Sequence, residues 1–252
     1  MRWSNVIRYG FGAAGRARKL RRQEESRARQ FGDATRWTQD GALARRIYAS
    51  YDEYVDHQAA KLPVIAERLR AREERDLAQF RERFATCRWL TGARSVLCLG
   101  ARLGTEVLAL HSLGYFAVGI DLNPGPENPY VLRGDFHRLV FPDRSVDAVY
   151  SNALDHAFDI DRVMAEIHRV LRPRGSAILD LPVGFAEGHS PGDYEALGWR
   201  DLESLLSRLT VRGGFAIKEC RGLEGAGSAI WRQAVLLKEA VPEQPGPRRA
   251  VA

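Results

Sequence analysis

The chain has 252 residues, of which 45% are apolar, so a full hydrophobic core is expected. No run of about 18 apolar residues occurs, which argues against a membrane-spanning helix. The net charge of +6 belongs to one end: residues 1–30 hold nine Lys and Arg against Glu24 and Glu25, a balance of +7, leaving −1 for the remainder.

Residues 1–35 form a basic arm broken by Gly10, Gly12 and Gly15. It reads as a flexible, solvated extension. Nucleic acid, an anionic surface or an acidic partner are its docking alternatives. Residues 36–90 read as a helical extension or lid, with one apolar stripe through Ala42, Ala44, Ile47, Tyr48, Tyr51, Tyr54 and Val55. Pro63 is expected to start a further helix whose buried face is Val64, Ile65, Leu69, Leu77, Phe80 and Phe84. His57, Gln58 and Lys61 make a polar patch that reads either as an exposed helix face or as a lid over a ligand mouth.

Ser95 to Asp121 reads as strand, glycine turn, helix, strand. Val96 to Leu99 is a short apolar run suited to a strand buried on both faces. Gly100 and Gly104 let the backbone turn tightly and approach a ligand closely. Val107, Leu108, Leu110 and Leu113 have helical spacing, and Tyr115 to Ile120 forms the next strand. An acid at that strand's end, Asp121, is placed to accept hydrogen bonds from a ribose diol. Three more strands are expected at Tyr130–Gly134, Val146–Tyr150 and Ser176–Leu181, with an amphipathic helix over Asp159–Leu171. A long loop runs from Pro182 to Gly198, followed by a helix from Trp199 to Leu209. Two final strands, Phe215–Glu219 and Ala229–Lys238, are antiparallel to each other because the loop between them is short. Residues 91–240 thus read as one α/β domain, and 241–252 as a loose tail. Cys87, Cys98 and Cys220 are odd in number, far apart and without metal-ligand spacing. No metal site is expected, and a reducing, cytoplasmic location is.

The segments VLCLGARLGTE, AVGIDLN, GDFHRLVFPDRSVDAVYSNALDH and EIHRVLRPRGSAIL, in this order over residues 95–182, resemble the class I S-adenosylmethionine-dependent methyltransferases, most closely the type 11 group. The resemblance implies a Rossmann-like seven-stranded sheet, mostly parallel with the last strand antiparallel. It implies methyl transfer from S-adenosyl-L-methionine to a small-molecule acceptor whose identity and reacting atom the chain does not reveal. Position by position, Gly100, Ala101, Arg102 and Gly104 would form the turn that passes the methionine end. Asp121 would hold the ribose and Leu122 flank the adenine. Asp135 would accept from the adenine amino group, with the N–H of Phe136 beside it, and Asn152 and Leu154 would line the floor near the sulfonium. Should the acceptor lose a proton, His156 is the candidate base and Asp155 its orienting partner, with His137, His189 and Tyr194 as further candidates.

Two positions depart from the pattern. Cys98 stands where the family often has an acid, and Arg102 where it often has glycine. Arg102 either closes the site, pairs with Glu106, or pairs with the cofactor's carboxylate. Pro173-Arg174-Gly175 replaces Pro-Gly-Gly away from the chemistry. A nicotinamide-dependent oxidoreductase would share Asp121 but needs three glycines, which Gly100-Ala101-Arg102-Leu103-Gly104 does not supply. A non-catalytic relative of the fold, docking nucleic acid or a partner through the basic arm, is the remaining alternative.

Overall fold

The computed structural model describes residues 36–223 and 231–239. The basic arm and the tail lie outside the described residues. In chain order the elements are β1 (Trp37–Asp40), β2 (Leu43–Arg46), α1 (Tyr51–Ala59), α2 (Lys61–Arg70), α3 (Glu73–Ala85), β3 (Ser95–Leu99), α4 (Thr105–Ser112), β4 (Phe116–Asp121), β5 (Val131–Arg133), β6 (Val146–Ser151), α5 (Ile160–Val170), β7 (Leu171–Pro182), β8 (Leu197–Trp199), α6 (Leu202–Gly213), β9 (Phe215–Gly222) and β10 (Trp231–Lys238).

Seven strands form one sheet in the order β5-β4-β3-β6-β7-β10-β9. The first five in that order pair in parallel, and β10 is antiparallel to both its neighbours. The expected seven-stranded, Rossmann-like sheet is therefore present, with its last strand inserted antiparallel. The central strand β3 and the later parts of β6 and β7 are buried on both faces because they are apolar at successive positions. In β3, Leu97 and Leu99 join a core with Val163, Ile167 and Leu205 of α5 and α6. Val96 and Cys98 point the other way, into a core with Val107 and Leu110 of α4 and Phe84 of α3. Strand periodicity of two thus sends alternate residues to opposite layers.

α5 shows why these helices form where they do. Ile160, Val163, Met164, Ile167 and Val170 are buried, and the Asp159 carboxylate caps the start by accepting from the N–H groups of Asp161 and Arg162. No helix among the described residues is long and apolar enough to cross a membrane.

The N-terminal extension, expected to be helical over 36–90, is helical from Tyr51 onward, but residues 37–46 before it form a hairpin. Gly41 takes φ 60° in a two-residue turn between Asp40 and Leu43, and Leu43 and Ala44 of β2 are buried. β8 pairs with β2, giving a second sheet of order β1-β2-β8. Trp199, expected to open a helix, ends β8 with its side chain buried. α6 starts later, at Leu202, where the Asp201 carboxylate accepts from Ser204 N–H at 2.8 Å. The long loop is therefore interrupted by a strand. Pro63 lies in the first turn of α2, which begins at Lys61. β7 begins at Leu171, earlier than expected, because a register shift against β6 absorbs the Arg172–Gly175 turn, where Arg174 has φ 65°.

Candidate functional site

The parallel strands β3, β4 and β6 end on one rim, and the turn after β3 shapes it. Gly100 takes φ 71° and donates its N–H to the Ile120 carbonyl at 2.8 Å. A Cβ on Gly100 would lie 2.4 Å from the Cβ of Ala153 in the turn after β6. Only glycine lets the two turns close on each other. Gly104 takes φ 84° and caps α4, where a Cβ would meet Val131 at 2.9 Å. Arg102 occupies φ 44°, an uncommon conformation for a residue with a side chain. Its N–H donates to Asp121 Oδ2 at 3.0 Å, and Asn123 N–H donates to Asp121 Oδ1 at 2.8 Å. A carboxylate has about four acceptor sites, so Asp121 keeps two for a diol.

α1 and α2 cover this rim. A narrow cavity of about 30 Å³ is lined by Gly100, Arg102, Asp121, Leu122, Phe136, Ala153 and His156 below, and by Tyr54, Gln58 and Lys61 above. Gln58 and Lys61 of the polar patch thus lie against the rim rather than on an exposed helix face. Tyr54 Oη donates to the His156 carbonyl at 3.0 Å, Gln58 Nε2 to the Tyr194 carbonyl at 2.8 Å, and Asn123 Nδ2 to the Ala59 carbonyl at 2.7 Å. A wider cavity of about 370 Å³ continues beside the glycine turn, where Ala101, Glu106, Asn152 and Asp155 join Gly100 and Arg102. Lys61 and His156 border both cavities.

Asp135 is placed differently. It lines a third cavity, of about 370 Å³, with Tyr51, His137, Phe158 and Arg162. Its Oδ2 accepts from the Tyr51 hydroxyl at 2.5 Å, and its Oδ1 accepts from His137 N–H and Nδ1, both at 2.8 Å. Desolvation works against these donors, yet together they hold its carboxyl down at about 2. Asp121 and Asp135 therefore face separate cavities. Leu154 does not reach the rim either: it is packed in the core beneath α5.

The candidate bases are held by neighbours. His137 Nε2 accepts from the N–H groups of Phe158 and Asp159, at 3.1 and 3.2 Å, so its proton sits on Nδ1, facing Asp135. It is buried and fastens Asp135 to the start of α5. His156 donates from Nδ1 to the Tyr194 carbonyl, and its Nε2 accepts from Lys61 Nζ, both at 2.7 Å. Burial, then the Lys61 and Arg102 charges, push its pKa well below the usual imidazole range and keep it neutral. Burial also raises the Asp155 carboxyl and lowers the Lys61 ammonium. Asp155 Oδ1 is buried without a hydrogen-bond partner. His189 pairs with Glu195 at 2.9 Å, and the Tyr194 ring stacks on His57. The sequence places Lys61 only in the polar patch and Glu106 only as a partner for Arg102, whereas both line the wider cavity. The signal for Glu106 was a charged residue inside the apolar run of α4.

Residues 97–179 match the family model described as a methyltransferase domain. A malonyl-[acyl-carrier protein] O-methyltransferase of Coxiella burnetii is 31% identical over 109 residues, which are 37% of this chain and 39% of that protein. A sterol 24-C-methyltransferase of Gibberella zeae is 49% identical over 100 residues, 39% of this chain and 24% of that protein. The chain thus matches well under two thirds of either relative's length. The crystal structure of a Burkholderia thailandensis 1,6-didemethyltoxoflavin-N1-methyltransferase, with its substrate and S-adenosylhomocysteine bound, superposes with a TM-score of 0.61 at 18% identity, over 81% of this chain and all of that one.

Proposed function

Since the chain carries a class I S-adenosylmethionine-dependent methyltransferase domain, we propose that it transfers a methyl group from S-adenosyl-L-methionine to a small-molecule acceptor. The observation that carries this reading is the rim itself. A glycine turn that admits no Cβ, a carboxylate with spare acceptor sites and two adjoining cavities all meet where β3, β4 and β6 end. The cofactor brings an activated methyl group, so the protein's work is to bind, orient and exclude water.

Asp121 and Leu122 would hold the nucleoside, with Phe136 beside them. Gly100, Ala101, Arg102 and Gly104 would pass the amino-acid end, and Asn152 would line the floor. Asp135 joins them only after the Tyr51 hydroxyl moves away, because that hydroxyl is seated on its Oδ2. The narrow cavity is far smaller than the roughly 300 Å³ or more of ordinary ligand sites. α1 and α2 must therefore swing outward for a nucleoside to bind. That same movement lifts Lys61 off His156 Nε2 and frees a neutral imidazole to take the acceptor's proton. Asp155 would steady it, its carboxylate oxygen standing 3.8 Å from His156 Nε2. The malonyl and sterol acceptors named for the relatives differ too widely to choose this chain's acceptor.

The test is calorimetry with S-adenosylmethionine and S-adenosylhomocysteine, followed by a metabolite screen with methyl-labelled cofactor. Micromolar binding and label transfer to one acceptor class are expected. Absence of binding to either compound, with tight binding of NADH or nucleic acid, refutes the proposal.

A further inference from the structure

We propose that Glu106 is a cofactor-binding residue of this protein, its carboxylate receiving the ammonium group of the cofactor's amino-acid end while Arg102 receives the carboxylate. The inference rests on the methyltransferase reading and assigns a residue that the resemblance does not.

Glu106 sits in the first turn of α4 with only 5% of its surface exposed, yet it lines the wider cavity together with Gly100, Ala101, Arg102 and Asn152. An acid in such a place normally has a partner, because an isolated buried carboxylate is costly. Among the described residues, the hydrogen bond that favours its carboxylate is from its own N–H. The titratable groups around it are Arg102 of the turn, Asp121 of β4, Arg83 of α3, Tyr150 of β6 and the Cys98 thiol of β3. Cys98 is fully buried and carries no acid into the cavity.

The neighbouring charges choose the ligand group. Arg102 of the glycine turn and Glu106 of the helix that follows it line one cavity. Arg102 interacts with the Asp121, Asp155 and Glu106 carboxyl groups, so a ligand group that is only cationic would be repelled by it and one that is only anionic would be repelled by Glu106. A zwitterionic α-amino acid end satisfies both.

Burial raises the Glu106 carboxyl to about 8 in the free protein, so at pH 7 it is mostly protonated. An ammonium group arriving beside it favours the carboxylate. Binding then expels a proton, and affinity rises with pH up to about 8.

The experiment compares two ligands that share the thioether nucleoside and differ in the amino-acid end: S-adenosylhomocysteine and 5′-methylthioadenosine. Both are titrated at pH 7 into wild type, E106Q and E106D, in buffers of different ionisation enthalpy. E106Q should weaken S-adenosylhomocysteine roughly ten-fold or more, the usual worth of a charged hydrogen bond. It should leave methylthioadenosine unchanged and abolish the proton release seen with wild type. E106D should retain part of both effects. Equal weakening of the two ligands, or proton release that survives in E106Q, overturns the assignment and makes Glu106 a packing residue. Wild type that binds neither ligand overturns the cofactor reading itself, and a wild type that binds both equally well overturns only the role of the amino-acid end.

Discussion

Replacing Gly100 by alanine tests the closure on which the site is built. The new methyl group would lie 2.4 Å from the Cβ of Ala153, about 1 Å inside ordinary carbon contact. Neither side can yield freely, since Ala153 is pinned by its N–H to Ser151 Oγ and Ser151 Oγ by the Leu99 carbonyl. Overpacking of this kind costs about 1–3 kcal/mol. The φ of 71° at residue 100 adds about 1–2 kcal/mol for any residue with a Cβ. The expected loss is therefore about 2–5 kcal/mol. It separates into two parts in a double-mutant cycle with Ala153→Gly, which removes the opposing methyl group but leaves the backbone strain. Urea denaturation of the four proteins should show a coupling energy of about 1–3 kcal/mol. A coupling near zero means the two turns do not meet, and the rim described above is wrong.

Asp121→Asn keeps the shape but removes the charge that holds Arg102 N–H and would hold a diol. S-adenosylhomocysteine should bind about ten-fold more weakly or worse, measured by calorimetry, and unchanged affinity would remove Asp121 from the site. Tyr51→Phe deletes the hydroxyl seated on Asp135, so the lid loses a latch and the same ligand should bind several-fold more tightly. Weaker binding would instead mean that Tyr51 orients Asp135 for the ligand. Arg174→Gly relieves a side chain held at φ 65°, and a rise in stability of up to about 1 kcal/mol is expected in thermal melts. His137→Leu removes the strongest hydrogen-bond support of Asp135. That carboxyl's folded-state pKa is depressed, so its stabilisation is present above about pH 4 and lost as pH falls toward 2. In the variant, that part of the acid transition should shrink.

The sheet was legible because its strands are apolar runs closed by glycine or acid, and a parallel sheet buried on both faces leaves that mark. α5 was legible for the same kind of reason: its buried residues recur at helical spacing and an aspartate caps it. The hairpin of β1 and β2 was not, because its apolar residues also fit a helical stripe over so short a stretch. Asp40-Gly41 was the overlooked mark, a turn pair between two short runs. β8 was hidden for a different reason. A three-residue strand has no period, and only its partner β2, distant in sequence, makes Leu197 to Trp199 extended. Within the site, the residues of the glycine turn and Asp121 could be placed from chain order alone. The direction of Asp135 could not, since it is decided by Tyr51, a residue of the lid that reaches it only in the folded molecule.

That last contact bears on how the protein would bind its cofactor at all. Asp121 and Asp135 end neighbouring stretches of chain, and a nucleoside lying across them would use both. In the folded chain Tyr51 and Tyr54 of α1 stand at this place, with Tyr51 on Asp135 and Tyr54 on the His156 carbonyl. Aromatic packing reinforces the arrangement, because Tyr51, Tyr54, His137 and Phe158 contact one another edge to face or tilted. A ligand that needs α1 displaced binds with its intrinsic affinity reduced by the fraction of molecules already open. The same aromatic side chains are then available to close over it, excluding water from the acceptor's approach. On this account a closed lid is the resting state of a binding site, and loosening it should raise affinity while slowing any step that depends on a dry cavity. A lid variant that gained affinity without losing turnover would show that α1 only obstructs.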